Sequence, residues 1–492
     1  MQRGGSHHWK TLDRDLGRLS RLEAASLYAA RPLVGVGLAL VFVIVAALMA
    51  GLTSGTEPGG LVIILAAAVG AYMALNIGAN DVANNMGPAV GARALSMAGA
   101  IALAAICETA GALLAGGEVV TTISEGILSP AALTSRGTFI QAMLAASLSA
   151  AVWVNIATWI GAPVSTTHAV VGGVLGAGIV AAGVGSVSWP MIGAIMASWV
   201  ISPLMGGVFA AAVLAFIKWR IMYVPDRIAA ARVWVPVLIG LMAAAFAAYL
   251  ALKGLSRVAA VTLPQALGLG ALVGLAVGAL SVPLVRRQAR GLDNRNGALK
   301  VLFRLPLVIS AGLLSFAHGA NDVANAVGPL AAIVRALQGG IVDEAVVLPV
   351  WVMLIGAVGI SCGLILFGPK LIAMVGNQIT KLNPMRAYCV ALSAAVTVIA
   401  ASALGLPVSS THIAVGGVFG VGFFREWHAE RRATRATRTR TPAKRIAREE
   451  RQRRKLVRRS HFLTILAAWL VTVPAAAALS ALCFLAISGL FS

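Results

Sequence analysis

The chain alternates long apolar runs with short polar connections. Ten runs are continuous: 33–52, 61–78, 95–115, 138–161, 190–217, 233–252, 264–285, 346–368, 386–405 and 461–491. Each is near the ~20 apolar residues that a bilayer-spanning helix requires. Four further apolar stretches, 78–92, 163–183, 306–334 and 407–424, are interrupted by Gly, Pro, Asn, Ser or Thr. Irregular backbone at membrane depth is tolerated only where protein or a watery cavity satisfies it. The pattern therefore predicts an all-α polytopic membrane protein with broken or re-entrant helices and about 12–13 membrane segments. Residues 1–32 are polar and too long to be the start of a signal peptide. Leu12, Leu16, Leu19 and Leu22 recur there at helical spacing among Arg14, Arg18 and Arg21. This fits a short amphipathic helix on the membrane face or a polar tail, and the pattern leaves both open.

Composition agrees with the runs and then adds orientation. The chain has 492 residues, 59% hydrophobic and only 11% charged, against roughly 25% charged in soluble domains. Yet 39 Lys and Arg face 17 Asp and Glu, a net charge of +22. Such a balance fits a nucleic-acid surface, but aromatic residues for stacking are scarce. Four segments between or before the apolar runs carry the whole excess: 1–32 (+3), 218–232 (+3), 286–304 (+5) and 425–460 (+11). The positive-inside rule puts all four, with the N-terminus, on the cytoplasmic side of a plasma membrane, the inner membrane of a bacterium. There they meet anionic lipid heads rather than nucleic acid. The connections 53–60, 116–136 and 335–345 carry Glu57, Glu118, Glu125, Asp343 and Glu344 and read as external. Cys107, Cys362, Cys389 and Cys483 all lie inside apolar runs without ligand spacing, as core residues do.

The chain also contains itself twice. Gly-Ala-Asn-Asp-Val-Ala-Asn begins at Gly78 and again at Gly319, with 9 of 12 positions identical over 78–89 and 319–330. Pro-Val-Ser-(Thr/Ser)-Thr-His begins at Pro163 and Pro407, with 10 of 14 identical over 163–176 and 407–420. Asp81 precedes His168 by 87 residues, and Asp322 precedes His412 by 90. Matching order and spacing indicate duplication. The linker after the second Pro-Val-Ser element is the +11 loop, inside; its counterpart 183–189 is uncharged and falls outside. The two copies are thus expected to be inverted, an architecture of secondary transporters whose site lies near the midplane. The resulting division is 1–60, an N-terminal segment and extra membrane helix; 61–217, the first repeat; 218–304, a linker with two membrane helices; and 305–492, the second repeat with the basic loop 425–460.

Both motifs carry chemistry. Proline suits a first helical turn, and Ser or Thr caps one. Backbone N–H groups and hydroxyls then meet at the positive end of the helix dipole, which favours an anion. Ser165, Thr166 and Thr167 form one such cradle, and Ser409, Ser410 and Thr411 the other. In the Asn-Asp motif, Asp81 and Asp322 are ionisable groups at membrane depth, which are functional by default. With Asn80 and Asn321 they offer oxygens for a hard cation or a place for a proton. Asn84 and Asn325 can donate amide N–H to an anion. Glu108, mid-run in Cys-Glu-Thr-Ala-Gly, adds a third acid without an acidic mate in 346–368. His168, His412 and His318 are secondary candidates. An anion enters beside ionised aspartates only if cations or protons accompany it, so the residues favour cation–anion symport over a simple pore.

These motifs resemble those of the inorganic phosphate transporter (PiT) family over roughly 61–492. The resemblance implies phosphate symport with sodium ions or protons, by an elevator-like or rocking alternation of two halves, and no cofactor. It implies phosphate between the Ser/Thr turns (165–167 and 409–411) and the Asp/Asn motifs. Coupling ions are implied at Asp81, Asp322 and neighbouring carbonyls, with Glu108 at an acidic position the family uses. Members are often dimers. Where relatives often carry a second glutamate, before the second cradle, this chain has Ala391. The nearest alternative is a symporter of sulfate or another oxyanion; a more distant one is a phosphate-sensing receptor. An enzyme is disfavoured, because no nucleophile–base pair or metal-ligand spacing occurs.

Overall fold

The computed structural model describes residues 33–53, 59–128, 135–160, 164–254, 261–338, 349–376, 382–438 and 459–491. The N-terminal leucine repeat and most of the +11 loop lie outside the described residues. Among those described there is no strand, only helices and one isolated bridge between Leu128 and Val187. Among the described residues, eleven helices are long and apolar enough to cross a membrane, and Thr166–Ala182 is a shorter apolar helix.

In chain order, α1 spans Leu33–Thr53, α2 Gly60–Asn80, α3 Val82–Gly91, α4 Met97–Ala115, α5 Gly117–Thr121, α6 Arg136–Ile160, α7 Thr166–Ala182 and α8 Trp189–Ile217. After them come α9 Arg227–Lys253, α10 Leu263–Gln288 and α11 Asn296–Leu302. The chain closes with α12 Arg304–Leu337, α13 Val350–Met374, α14 Pro384–Ala403, α15 Ser410–Arg438 and α16 Arg459–Phe491. Local chemistry sets many of the starts. Ser96 caps α4 by accepting from Gly99 N–H, Asp226 caps α9 through Ala229 N–H, and Asn383 caps α14 through Arg386 N–H. Thr262 and Gln265 form a capping box on α10.

The five segments around each motif pair correspond in order: α2–α3 with α12, α4 with α13, α6 with α14, α7 with α15 and α8 with α16. Their packing is reciprocal. Helix α2 lies on α13 as α12 lies on α4, and α7 lies on α16 as α15 lies on α8. Glycines allow the approach, as small residues do between membrane helices. A Cβ at Gly78 would strike the Ile360 carbonyl, and one at Gly319 the Glu108 carbonyl. In the outer pair the same holds for Gly176 on Ala477 and Gly420 on Gly207. Backbone on backbone is therefore the common contact between halves.

One expectation fails. The stretch 306–334 was predicted to be interrupted, yet α12 runs unbroken for 34 residues through the Asn-Asp motif and Pro329. In the first copy the interruption is slight. Asp81 keeps helical angles, and its N–H still bonds Ile77 O; only Asn84 N–H shifts to Asp81 O, one turn tightened. The clear breaks are at the cradles. Helices α6 and α7, and again α14 and α15, pack as hairpins, with residues 164–165 and 407–409 leading into the second arm of each. Ser165 stands in extended conformation before α7, and Gly405 takes a positive φ of 67° before α15.

Substituting Gly420 by Val should destabilise the protein by about 1–3 kcal/mol or more, since a closed backbone contact must open. Gly268→Ala, with nothing within 4 Å of the added carbon, should leave the melting temperature in detergent unchanged. Equal melting of both variants would refute the packing account.

Candidate functional site

The two hairpin tips meet. Thr167 donates to the Val408 carbonyl at 3.1 Å. The His168 and His412 rings stand 4.7 Å apart, edge to face. Trp199 of α8 packs on His168 at 3.9 Å and donates its indole N–H to Pro407 O at 3.1 Å. Matching residues touch across the contact: His168 with His412, and Thr109 with Ser361 at 2.8 Å. Corresponding residues of the two motif copies thus lie against one another, with both cradles beside the contact.

Within each cradle the three hydroxyls do different work. Ser165 and Ser409 are helix caps, accepting from the N–H groups of His168 and His412 at 3.3 and 3.4 Å. The next residues reach across to the Asn-Asp motifs. Thr166 donates to Asp81 Oδ2 at 2.9 Å, and Thr411 lies 3.4 Å from Asp81 Oδ1. Asn84 donates to Thr411 Oγ1 at 2.9 Å, and Asn325 donates to Thr167 Oγ1 at 3.0 Å. Those two bonds correspond: each motif's asparagine binds the other copy's cradle. Ser410 Oγ is buried without a hydrogen-bond partner.

The outer asparagines brace the hairpins instead. Asn80 donates to Thr158 on α6 at 2.7 Å. Asn321 meets Ser402 on α14. Its amide satisfies its surroundings when the oxygen accepts from Ser402 Oγ at 3.1 Å and the nitrogen donates to Asp322 Oδ1 at 3.1 Å and Val408 O at 2.9 Å.

All three sequence-picked acids converge on one buried cluster, with exposures of 2% for Asp81, 1% for Asp322 and 1% for Glu108. His318, one of the three secondary candidates, sits at its centre. Its Nδ1 lies 3.2 Å from Glu108 Oε1 and its Nε2 3.0 Å from Asp322 Oδ2. Asn85, not singled out by the sequence, donates to Glu108 Oε1 at 3.3 Å. Single ligand atoms of Asp81, His318 and Asp322 lie within 4.8 Å of one another. The two aspartates therefore differ. Asp81 faces hydroxyls from both cradles, while Asp322 is held by an imidazole and an amide.

This polar cluster breaks the internal symmetry. The glycine contacts pair Gly78 with Ile360 and Gly319 with Glu108, so Glu108 corresponds to Ile360 and His318 to Ile77. One half carries an acid and an imidazole where the other carries two buried isoleucines.

The prolines add backbone chemistry. Pro88 and Pro329 lack the N–H that would bond four residues back, at the carbonyls of Asn84 and Asn325. Glu108 Oε2, Asn325 Oδ1 and Asn85 Oδ1 are buried acceptors without partners, and the Ser410 hydroxyl is also buried without one. Acceptors of this kind suit a cation, and a hydroxyl at a helix start suits an anion.

Replacing His318 by Leu should destabilise the fold by about 3–5 kcal/mol, because two buried acids lose their shared partner. The double change Glu108→Ile with His318→Ile, which copies the opposite half, should melt higher than His318→Leu. A double variant that melts lower would refute the pairing.

Comparisons with known proteins bear on this geometry. The chain matches the phosphate transporter family over residues 77–480. It is 49% identical over 429 residues to a candidate phosphate permease of Helicobacter pylori, covering 87% of this chain and 80% of that one. It is 36% identical over 422 residues to one of Pyrococcus abyssi, covering 86% and 97%. A solved structure described as "The sodium-dependent phosphate transporter" superposes with a TM-score of 0.78 at 33% identity, covering 87% of this chain and 99% of that one.

Proposed function

Because the chain belongs to the phosphate transporter family, whose members are transporters rather than enzymes, we propose that it imports inorganic phosphate by symport with sodium ions or protons. The observation that carries this reading is the coexistence, in one buried cluster, of acceptors fit for a cation and cradle donors fit for an oxyanion. Phosphate binds between Thr166, Thr167, Ser410 and Thr411, with Asn84 and Asn325 donating from either side. Ser165 and Ser409 contribute by holding the helix starts that face it. Asp81 accepts from a protonated phosphate oxygen in place of the threonine hydroxyls, a contact that sulfate, lacking a proton, does not make. The coupling cation sits among Asp81, Asp322 and Glu108, with Asn80 and Asn321 fixing the backbone beside it.

Charge explains the coupling. An anion cannot be desolvated next to ionised carboxylates unless positive charge arrives with it. The described relative named for sodium dependence supports sodium as that charge. His318, in contact with two of the acids, favours a proton as the second reading.

The reciprocal packing supports two repeats, 61–217 and 305–492, that cross the membrane in opposite directions and are joined by 218–304, with 1–60 added in front. The basic segments, the +11 loop among them, then lie in the cytoplasm and the chain in a plasma membrane. Alternating access follows from motion of hairpin tips against the Asn-Asp helices, opening the site to one side at a time.

Radiolabelled phosphate uptake into proteoliposomes, with sodium and pH gradients imposed separately, tests the reading. Uptake is expected under one gradient and competition by sulfate is not. Binding without uptake under either gradient would instead mark a receptor. Asp81→Asn and Asp322→Asn should each abolish coupled uptake. Ser410→Ala should raise KM about tenfold, the worth of one hydrogen bond to a charged ligand.

A further inference from the structure

Helices α9 and α10 form a hairpin at the edge of the molecule, and α10 packs on α9 and α11. Their crossing is floored by glycine. A Cβ on Gly240 would lie 2.7 Å from Gly274 O and 3.3 Å from the Gly278 Cα. Because the backbones sit so close, the flanking side chains stand up as walls, and a groove of about 730 Å³ runs along the hairpin. That volume is in the ~300–1,000 Å³ range of small-ligand sites. Val237, Leu241 and Leu275 wall it and remain 49%, 66% and 75% exposed.

The groove is apolar along its length and basic at one end. Arg232 of α9 and Arg286 of α10 close it there, and no acidic side chain lines it. Arg232 is held in place by donating to the Ala289 carbonyl at 3.3 Å. The lining runs from 232 to 244 on α9 and from 271 to 286 on α10, roughly 20 Å at 1.5 Å per residue. One leaflet of hydrocarbon is about 15 Å thick. The two arginines therefore stand at headgroup level when the apolar part lies in one leaflet.

We propose that this groove is a binding site for one anionic phospholipid, its phosphate on Arg232 and Arg286 and an acyl chain along the glycine floor. A second copy of the chain is the less fitting occupant. A dimer about a twofold axis along the membrane normal brings the same ends together, so four groove arginines converge without an acidic side chain in the lining. An anionic headgroup neutralises the pair instead. Arg287 and Arg290, exposed in the same segment, extend the positive field toward that leaflet's surface.

Native mass spectrometry of the full-length protein, with phosphatidylglycerol or phosphatidylcholine of identical chains added, tests this. The expected result is one phosphatidylglycerol retained per chain about thirtyfold more strongly than phosphatidylcholine, as two interfacial arginines would give. Arg232→Gln with Arg286→Gln should remove the preference. Because Arg232 also bonds α10, Arg286→Gln alone should reduce it with the melting temperature unchanged. Ala279→Phe, filling the groove with both arginines intact, should weaken retention of both lipids. Equal retention of the two lipids by the unaltered protein would overturn the proposal, as would a preference that survives the double arginine variant. Disulfide-linked dimers formed through Leu275→Cys in native membranes would also overturn it, by giving the face to a second copy.

Discussion

Polar groups inside a membrane protein must find their partners within the protein, and this molecule meets that demand by having each half complete the other. Asn84 binds the second cradle and Asn325 the first. The outer asparagines tie the same helices to the hairpin arms through Thr158 and Ser402. Neither Asn-Asp motif is satisfied by its own cradle alone. The hairpin tips, the aspartates and the contact between helices α2, α4, α12 and α13 are consequences of those crossed bonds. A single copy of the repeat would leave amides and hydroxyls buried without partners, at a cost of about 1–3 kcal/mol each.

The symmetric part of this arrangement was legible in the sequence, because duplication marks every residue that appears twice. The structure brings the cradles, Asp81 and Asp322, and Asn84 and Asn325 together. What duplication does not mark is harder to read. His318 precedes only one copy of its motif, so nothing in the linear pattern lifted it above an incidental histidine. Its importance appears only when α4 is seen lying on α12, with Glu108 opposite. A second signal existed in the matched isoleucines, Ile77 and Ile360, which replace both members of the pair together. It can be used only once the helices are known to be partners.

Backbone state was the least legible feature. Gly, Asn and Pro in 306–334 read as a broken helix, yet α12 is continuous. A proline inside a membrane helix costs little when neighbouring groups meet the carbonyl it strands. Here the tight fit around Gly319 and Gly328 encloses the helix on several sides. The Ser-Thr-Thr run likewise announced hydroxyls at a helix start without saying which one is the cap. That role falls to the first serine because only the residue in extended conformation can turn its oxygen back onto the third N–H.

The glycine contacts at the centre have a further consequence. Helix α12 rests at Gly319 on the main chain of Glu108 itself, and α2 rests at Gly78 on that of Ile360. The separation of the Glu108 and Asp322 main chains is therefore set by backbone contact, like the jaw of a fixed-gauge tool. Repacking of side chains cannot widen that main-chain separation, and a larger residue at the glycine would force the whole helix aside. Such a site is retuned by exchanging the groups in the jaw, as the two halves of this chain have done with Glu108 and His318 against Ile360 and Ile77, while its width stays constant.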